Sequence, residues 1–297
     1  MAGGNKWKRL GSLCVVSISI AKNIGFCSGV RRAIDIVEQA LSKSKTKVYS
    51  LGPVIHNHQA IKELKQKNLY TINSLDNIED SSVVILPSHG SPRYILDKAK
   101  KKNLRLIDVT CPYVSSVHRI CNKAYRQGFK VIIIGDRRHP EIRALVDLVK
   151  DASVIEKIKD IPENGFSRKK IGIISQTTQA KDTFFKIISR ILQKNPKVAE
   201  VHIFNTICLD TIARQEEVKK LAYTVDVLLI IGSSISANTK RLFCIGRRIN
   251  KRAYLIQTKD APLNRILKNA RTVGVISGAS TPSWLVEEII KKIRKRG

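Results

Sequence analysis

The chain has 297 residues, 43% hydrophobic and 26% charged, which supplies a sizeable core for roughly two domains by length. It excludes a mainly disordered chain, and no run reaches the ~18 uninterrupted apolar residues of a membrane span. Lys and Arg number 54 against 24 Asp and Glu, and the formal net charge of +30 favours polyanions, anionic substrates or acidic protein partners, while aromatics at 5% are too few for the stacking platform of a single-strand nucleic-acid binder.

In chain order, Lys6, Lys8 and Arg9 precede an apolar stretch from Leu10 to Ala21 that mimics a signal peptide. Ser12, Ser17 and Ser19 interrupt it, and its end alternates as a strand does, so it reads as the first core strand, Val15–Ile20, of a cytosolic protein. Further β-branched runs predict strands at Lys47–Ser50, Val83–Leu86, Arg105–Ile107, Lys130–Ile134, Ile171–Ile174, Val201–Phe204, Val227–Ile231, Ala253–Ile256 and Thr272–Ile276. Helical spacing lies between them: Val30, Ala33, Ile34, Val37 and Leu41 share one face, as do Val114, Val117, Ile120, Cys121 and Ala124. Trp284, Leu285, Ile289 and Ile290 mark a last helix. Alternation of this kind predicts α/β architecture with largely parallel sheets. There are more strands than one ordinary sheet needs, so two or three small α/β lobes are expected. Asp160–Lys170 reads as a loop. Of the basic runs Lys98–Arg105, Arg247–Arg252 and Lys291–Arg296, two lie in segments that read as helices, where a solvated face is the plain reading.

Ligands of open α/β sheets bind beyond the carboxyl ends of the strands. The loops there hold His56, His89, Cys27, Cys111, His139, Glu141, Thr177, Cys208, Ser236, Ala237, Asn238 and Ser280. One such loop would mean little; nine of them point to a shared site. There are six cysteines and no C-x-x-C pair, which argues against a zinc ribbon. Cys121 and Cys244 lie in helical segments and read as small buried hydrophobes; Cys14 has no evident role. Cys27, Cys111 and Cys208 each follow a strand and precede a helix. Three readings stay open for this trio: separate structural thiols, a nucleophile among them, or three ligands converging on one metal centre, for which soft thiolates suit iron–sulfur chemistry. Their spacing matches no local metal motif. His56, His89 and His139, with Ser236, Asn238 and Ser280, suit a phosphate or diphosphate, bound by hydroxyl and amide donors, cationic imidazole and the free N–H groups of helix starts. Glu141 is the carboxylate of this set, either a general acid or a helix N-terminal Glu favoured by the dipole.

The motifs GFCSGVRRAI (25–34), GPVIHN (52–57), SHG (88–90), DVTCP (108–112), HPE (139–141), QTT (176–178), NTIC (205–208), SISANT (234–239) and GASTP (278–282), in this order, make the chain resemble the 4-hydroxy-3-methylbut-2-enyl diphosphate reductase family. The resemblance runs from about Ile18 to Leu285. It implies three similar α/β lobes around a central iron–sulfur cluster, with divisions at 1–28 (a strand completing the third lobe), 29–111, 112–207 and 208–297. It implies that Cys27, Cys111 and Cys208 hold a 4Fe–4S cluster with one open iron. His56, His89, His139, Thr177, Ser236, Ala237, Asn238 and Ser280 then form the substrate site. Glu141, with Thr177 and His139, delivers protons. The reaction implied is reductive dehydroxylation of an allylic diphosphate, with electrons from ferredoxin or flavodoxin, in the cytoplasm, without membrane or nucleic acid. Departures from the family pattern are Arg138 and Ala144 where Gly is expected, Ala237 where Ser is usual and His58 where Pro is. Two other readings are a basic nucleic-acid-binding α/β protein, and a family member that binds the cluster with impaired turnover because of Arg138 and Ala237.

Overall fold

A computed structural model describes residues 17–166 and 170–295. The first elements are strand β1 (Ser17–Ile20) and helix α1 (Ser28–Lys43). Three lobes of one design follow. The first contains β2 (Val48–Leu51), α2 (His58–Gln66), β3 (Leu69–Ile72), β4 (Val83–Leu86), α3 (Arg93–Lys101) and β5 (Arg105–Asp108). The second contains α4 (Pro112–Arg126), β6 (Lys130–Ile134), α5 (Pro140–Leu148), β7 (Ser153–Ile155), β8 (Lys170–Ser175), α6 (Lys181–Lys194) and β9 (Glu200–Phe204). The third contains α7 (Leu209–Thr224), β10 (Val227–Ile231), α8 (Ala237–Ile249), β11 (Ala253–Ile256), α9 (Leu263–Ile266), β12 (Thr272–Ser277) and α10 (Ser283–Arg294).

Each lobe is a four-stranded parallel sheet, in the orders β3-β2-β4-β5, β7-β6-β8-β9 and β11-β10-β12-β1. The third sheet therefore takes its fourth strand from the segment preceding lobe one, with Ser17 opposite Thr272 and Ile20 opposite Val275. Central strands such as β4 and β10 are buried along their whole length. That is why they read as continuous apolar runs: helices cover both faces of a parallel sheet. Alternate residues feed opposite faces. Val131 and Ile133 join one core cluster, Ile132 and Ile134 another, and the same division separates Leu229 from Leu228.

The loops at the carboxyl ends repeat as well. The N–H of Gly52, Gly135 and Gly232 donates to the carbonyl of Ile72, Ile155 and Ile256 at 2.7, 3.1 and 2.8 Å. The N–H of Cys111, Cys208 and Cys27 donates to the carbonyl of Ser88, Thr177 and Ala279 at 2.9, 2.9 and 3.0 Å. Equivalent loops of three lobes are thus held alike, which fixes where their side chains emerge.

All ten expected strands are present within a residue or two of their expected bounds. β3 and β7 are additional; each is a short edge strand of four and three residues, too brief to show alternation. Cys14, Val15 and the preceding basic and apolar residues lie outside the described residues, as do residues 167–169 of the expected loop and Arg296. Cys121 is buried, but Cys244 is exposed. Its helix α8 buries Leu242 and Gly246 instead, so the core reading of Cys244 is corrected. The basic runs coincide with the last turns of α3 (Lys98, Lys100, Lys101), α8 (Arg247, Arg248) and α10 (Lys291, Lys292, Arg294), where cations complement the helix dipole. Among the described residues, no helix is long and apolar enough to cross a membrane.

Candidate active site

Cys27, Cys111 and Cys208 are the N-caps of α1, α4 and α7, the helices that follow the fourth strand of each sheet. All three line one cavity where the lobes meet. The Cys27 Sγ also accepts a hydrogen bond from the Val30 N–H at 3.4 Å. The first turn of α1 passes so near Cys111 that a Cβ on Gly29 would stand 2.5 Å from its Sγ. Any side chain there would push the Cys111 thiol out of its place. Burial pushes the Cys27 thiol up and the Cys208 thiol up to about 11. These thiols stay protonated until a metal displaces the proton.

Among the described residues no group of His, Cys, Asp or Glu is gathered tightly enough for a single metal ion. A lone ion needs its thiolates ~2.3 Å from one point, whereas a multi-iron cluster takes each thiolate on a separate iron. Three thiols lining one cavity, each at the positive end of a helix, are a donor set of the kind a multi-iron cluster uses.

The same cavity is lined by His56, His89, His139, Glu141, Thr177, Ser236, Ala237, Asn238 and Ser280. The His56 and His89 rings stack at 4.9 Å, and His139 tilts against them at 5.2 and 6.4 Å. Ser236 caps α8, its Oγ accepting from the Thr239 N–H at 3.3 Å, and Ser280 Oγ donates to the His56 carbonyl at 3.2 Å. Of the buried side-chain atoms without a partner among the described residues, four belong to this lining: Nε2 of His56, Nε2 of His89, and Nδ2 and Oδ1 of Asn238. Buried polar atoms left unpaired are costly, so their convergence on one cavity marks a place for a polar ligand.

In the free site burial disfavours the cationic form of all three imidazoles. Burial pulls His56 down, His89 down to about 3 and His139 down to about 4; repulsion from the neighbouring histidines adds to this for His89 and His139, and from Lys240 for His56 and His139. An arriving anion reverses that balance, because negative charge favours the protonated ring.

Glu141 is 2% exposed. Its Oε1 accepts from the Thr177 N–H at 2.7 Å and its Oε2 from Thr177 Oγ1 at 2.8 Å. Burial outweighs both bonds and pushes the carboxyl up to about 7, so near neutrality it holds a proton that it can also give up. His139 caps α5, and its Nδ1 accepts from the Glu141 N–H at 3.3 Å. Of the departures, the exposed Arg138 uses its N–H on Asp136 Oδ1 at 2.9 Å. Ala144 is buried in α5, and Nδ1 of His58 lies 3.3 Å from Ser233 Oγ.

Tyr113, Asp210 and Thr211 also line the cavity, and the sequence reading passed over them. Each lies two or three residues beyond a cysteine, in the first turn of its helix, so helical phase was the available signal. Arg214 was passed over too, although it lies on the buried face of α7 with Thr211, Gln215, Val218 and Ala222.

The LytB protein family model matches residues 18–294. The chain is 37% identical over 285 residues to the 4-hydroxy-3-methylbut-2-enyl diphosphate reductase of Aquifex aeolicus, covering 95% of this chain and 97% of that protein. It is 35% identical over 277 residues to the protein of the same name from Clostridioides difficile, covering 93% and 98%. The solved E-1-hydroxy-2-methyl-but-2-enyl-4-diphosphate reductase of Plasmodium falciparum superposes with a TM-score of 0.88 at 28% identity, over 93% of this chain and 87% of that one. The solved structure of (E)-4-hydroxy-3-methyl-but-2-enyl diphosphate reductase, the terminal enzyme of the non-mevalonate pathway, gives 0.70 at 37% identity over 94% and 99%.

Proposed function

The chain belongs to the LytB family, and from that premise we propose that it is an oxidoreductase of isoprenoid synthesis: it reductively removes the hydroxyl of 4-hydroxy-3-methylbut-2-enyl diphosphate to give isopentenyl and dimethylallyl diphosphate. Two electrons and two protons convert the C–OH into C–H and water. One observation carries the reading: three helix-capping thiols share a cavity with unpartnered His and Asn atoms and with a buried carboxyl near neutrality. When bound by Cys27, Cys111 and Cys208, a 4Fe–4S cluster would supply single electrons and a Lewis-acid iron for the hydroxyl oxygen. The electron donor proposed is ferredoxin or flavodoxin.

The chain's own residues do the rest. His56, His89, Ser236, Asn238 and Ser280 hold the diphosphate, using the ring and amide donors that otherwise have no partner. The first turns of the surrounding helices add N–H groups aimed at the anion. That grip fixes the carbon skeleton, which provides the proximity contribution. Glu141, in contact with Thr177 Oγ1 and next to His139, is placed to pass its proton toward the departing hydroxyl. Ala237 offers no side-chain donor, so this clamp is one hydroxyl short of the family pattern.

The test is anaerobic reconstitution followed by iron and sulfide analysis, with products measured from the diphosphate substrate. Cys208→Ser should lose stable iron, and Cys121→Ser should keep it. An iron-free wild type that instead bound nucleic acid in a salt-sensitive way would overturn the assignment.

A further inference from the structure

Cys27, Cys111 and Cys208 occupy equivalent helix caps, so the residues six positions on are equivalent too. They are Ala33, Val117 and Arg214, which are 0%, 2% and 1% exposed. Two are ordinary core side chains; the third is a fully buried cation. Its bonds tie α7 to the end of β12 and to the segment between β1 and α1. Arg214 Nε donates to Asp210 Oδ2 at 2.8 Å, on the same helix α7 that Cys208 caps. Its Nη1 donates to the Asn23 carbonyl at 2.8 Å and to the Ser277 carbonyl at 2.9 Å, and its Nη2 to the Gly25 carbonyl at 3.0 Å. The segment so gripped ends two residues before Cys27.

A buried guanidinium is costly unless its donors are matched, and here they are matched by backbone carbonyls of the segment that carries another thiol. Resting on the function proposed above, we infer that Arg214 is a positioning residue: it clamps the Cys27 segment onto the Cys208 helix and holds the Arg214–Asp210 ion pair beside that segment. None of the hydrogen bonds of Arg214 goes to the Cys111 segment.

Two variants separate grip from charge. Arg214→Lys keeps the charge but cannot reproduce the planar fork of donors. In the metal-free protein, iodoacetamide labelling followed by peptide mass spectrometry should then show Cys27 reacting roughly fivefold faster or more, as for a segment that opens locally, with Cys111 unchanged. Equal acceleration at both thiols would mean general loosening, and no acceleration would mean no clamp; either overturns the inference. Arg214→Met removes the charge. In reconstituted protein titrated with dithionite its midpoint should fall by about a tenfold change in the redox equilibrium, ~59 mV for one electron, while Arg214→Lys stays near wild type. If Arg214→Met retains no iron, Asp210→Asn gives the charge readout, with a shift to higher potential expected. An unmoved midpoint rejects the charge role. A wild type that takes up no iron would sink the function proposed above, while the Cys27 and Cys111 labelling contrast would still decide the clamp.

Discussion

Glu141→Gln is the most informative single change, because it keeps shape and removes the titrating proton. The folded protein raises the carboxyl from 4.5 to about 7 by burial, and at 1.36 kcal/mol per pKa unit the linkage amounts to ~3 kcal/mol. Since the folded state holds this proton more tightly than the unfolded chain, the contribution is fully present below pH 4.5 and is lost as pH rises through about 7. Urea unfolding of the metal-free protein at pH 5 and pH 8 should therefore show the wild type losing ~2–3 kcal/mol more than Glu141→Gln across that interval. In the reconstituted protein the same variant should bind substrate yet turn over ~100-fold more slowly or worse, the scale of a lost general acid. An unchanged pH dependence of stability would show that Glu141 is not the buried acid described. Near-normal turnover would reduce it to a helix N-terminal carboxylate.

Ala237→Ser should add a donor beside Ser236 and Asn238 worth ~1.5–3 kcal/mol to a charged oxygen, lowering KM roughly tenfold or more with kcat little changed; an unchanged KM would mean that a neighbouring cation such as Lys240 already compensates. Because burial holds His89 and His139 neutral, the diphosphate should bind with net proton uptake at neutral pH, read by calorimetry in buffers of different ionisation enthalpy. Binding that takes up no protons would mean the rings act only as neutral donors. Reduction by an acidic protein donor should slow steeply as ionic strength rises, while reduction by a small chemical donor should not; equal salt sensitivity would remove docking as a role for the basic surface.

The parallel-sheet cores were legible because strands buried on both faces cannot hide their β-branched runs; β10 is five apolar residues long and wholly buried. β3 and β7 were not, because three- and four-residue edge strands leave no periodicity to read. The loop positions of the three cysteines were visible in the sequence, since each stands between a strand and a helix. Spacing alone left their sharing of one cavity open, because it depends on how three lobes meet; the motif resemblance is what pointed to it. The neutral imidazoles were equally hidden: sequence shows three histidines in three loops, and only their stacking reveals that they repel one another's charge. Arg214 escaped because a buried arginine in a helix looks like a surface one until its carbonyl partners arrive from 189 and 191 residues away.

The pairing of β1 with β12 has a bearing on how the chain is made. A ribosome releases β1 ahead of both complete lobes, and its partner follows about 250 residues and, at 5–20 residues per second, on the order of tens of seconds later. Until then β1 is an edge without a sheet. Its short length and its two serines, Ser17 and Ser19, make that wait tolerable for a strand that could otherwise pair with another chain. Cys27 waits with it, since the segment that positions this thiol is anchored to β12 and α7. Cys208 waits as well, because the helix it caps packs in the same lobe and is bonded through Arg214 to Ser277, so two of the three thiols reach their folded places only after β12 has been made.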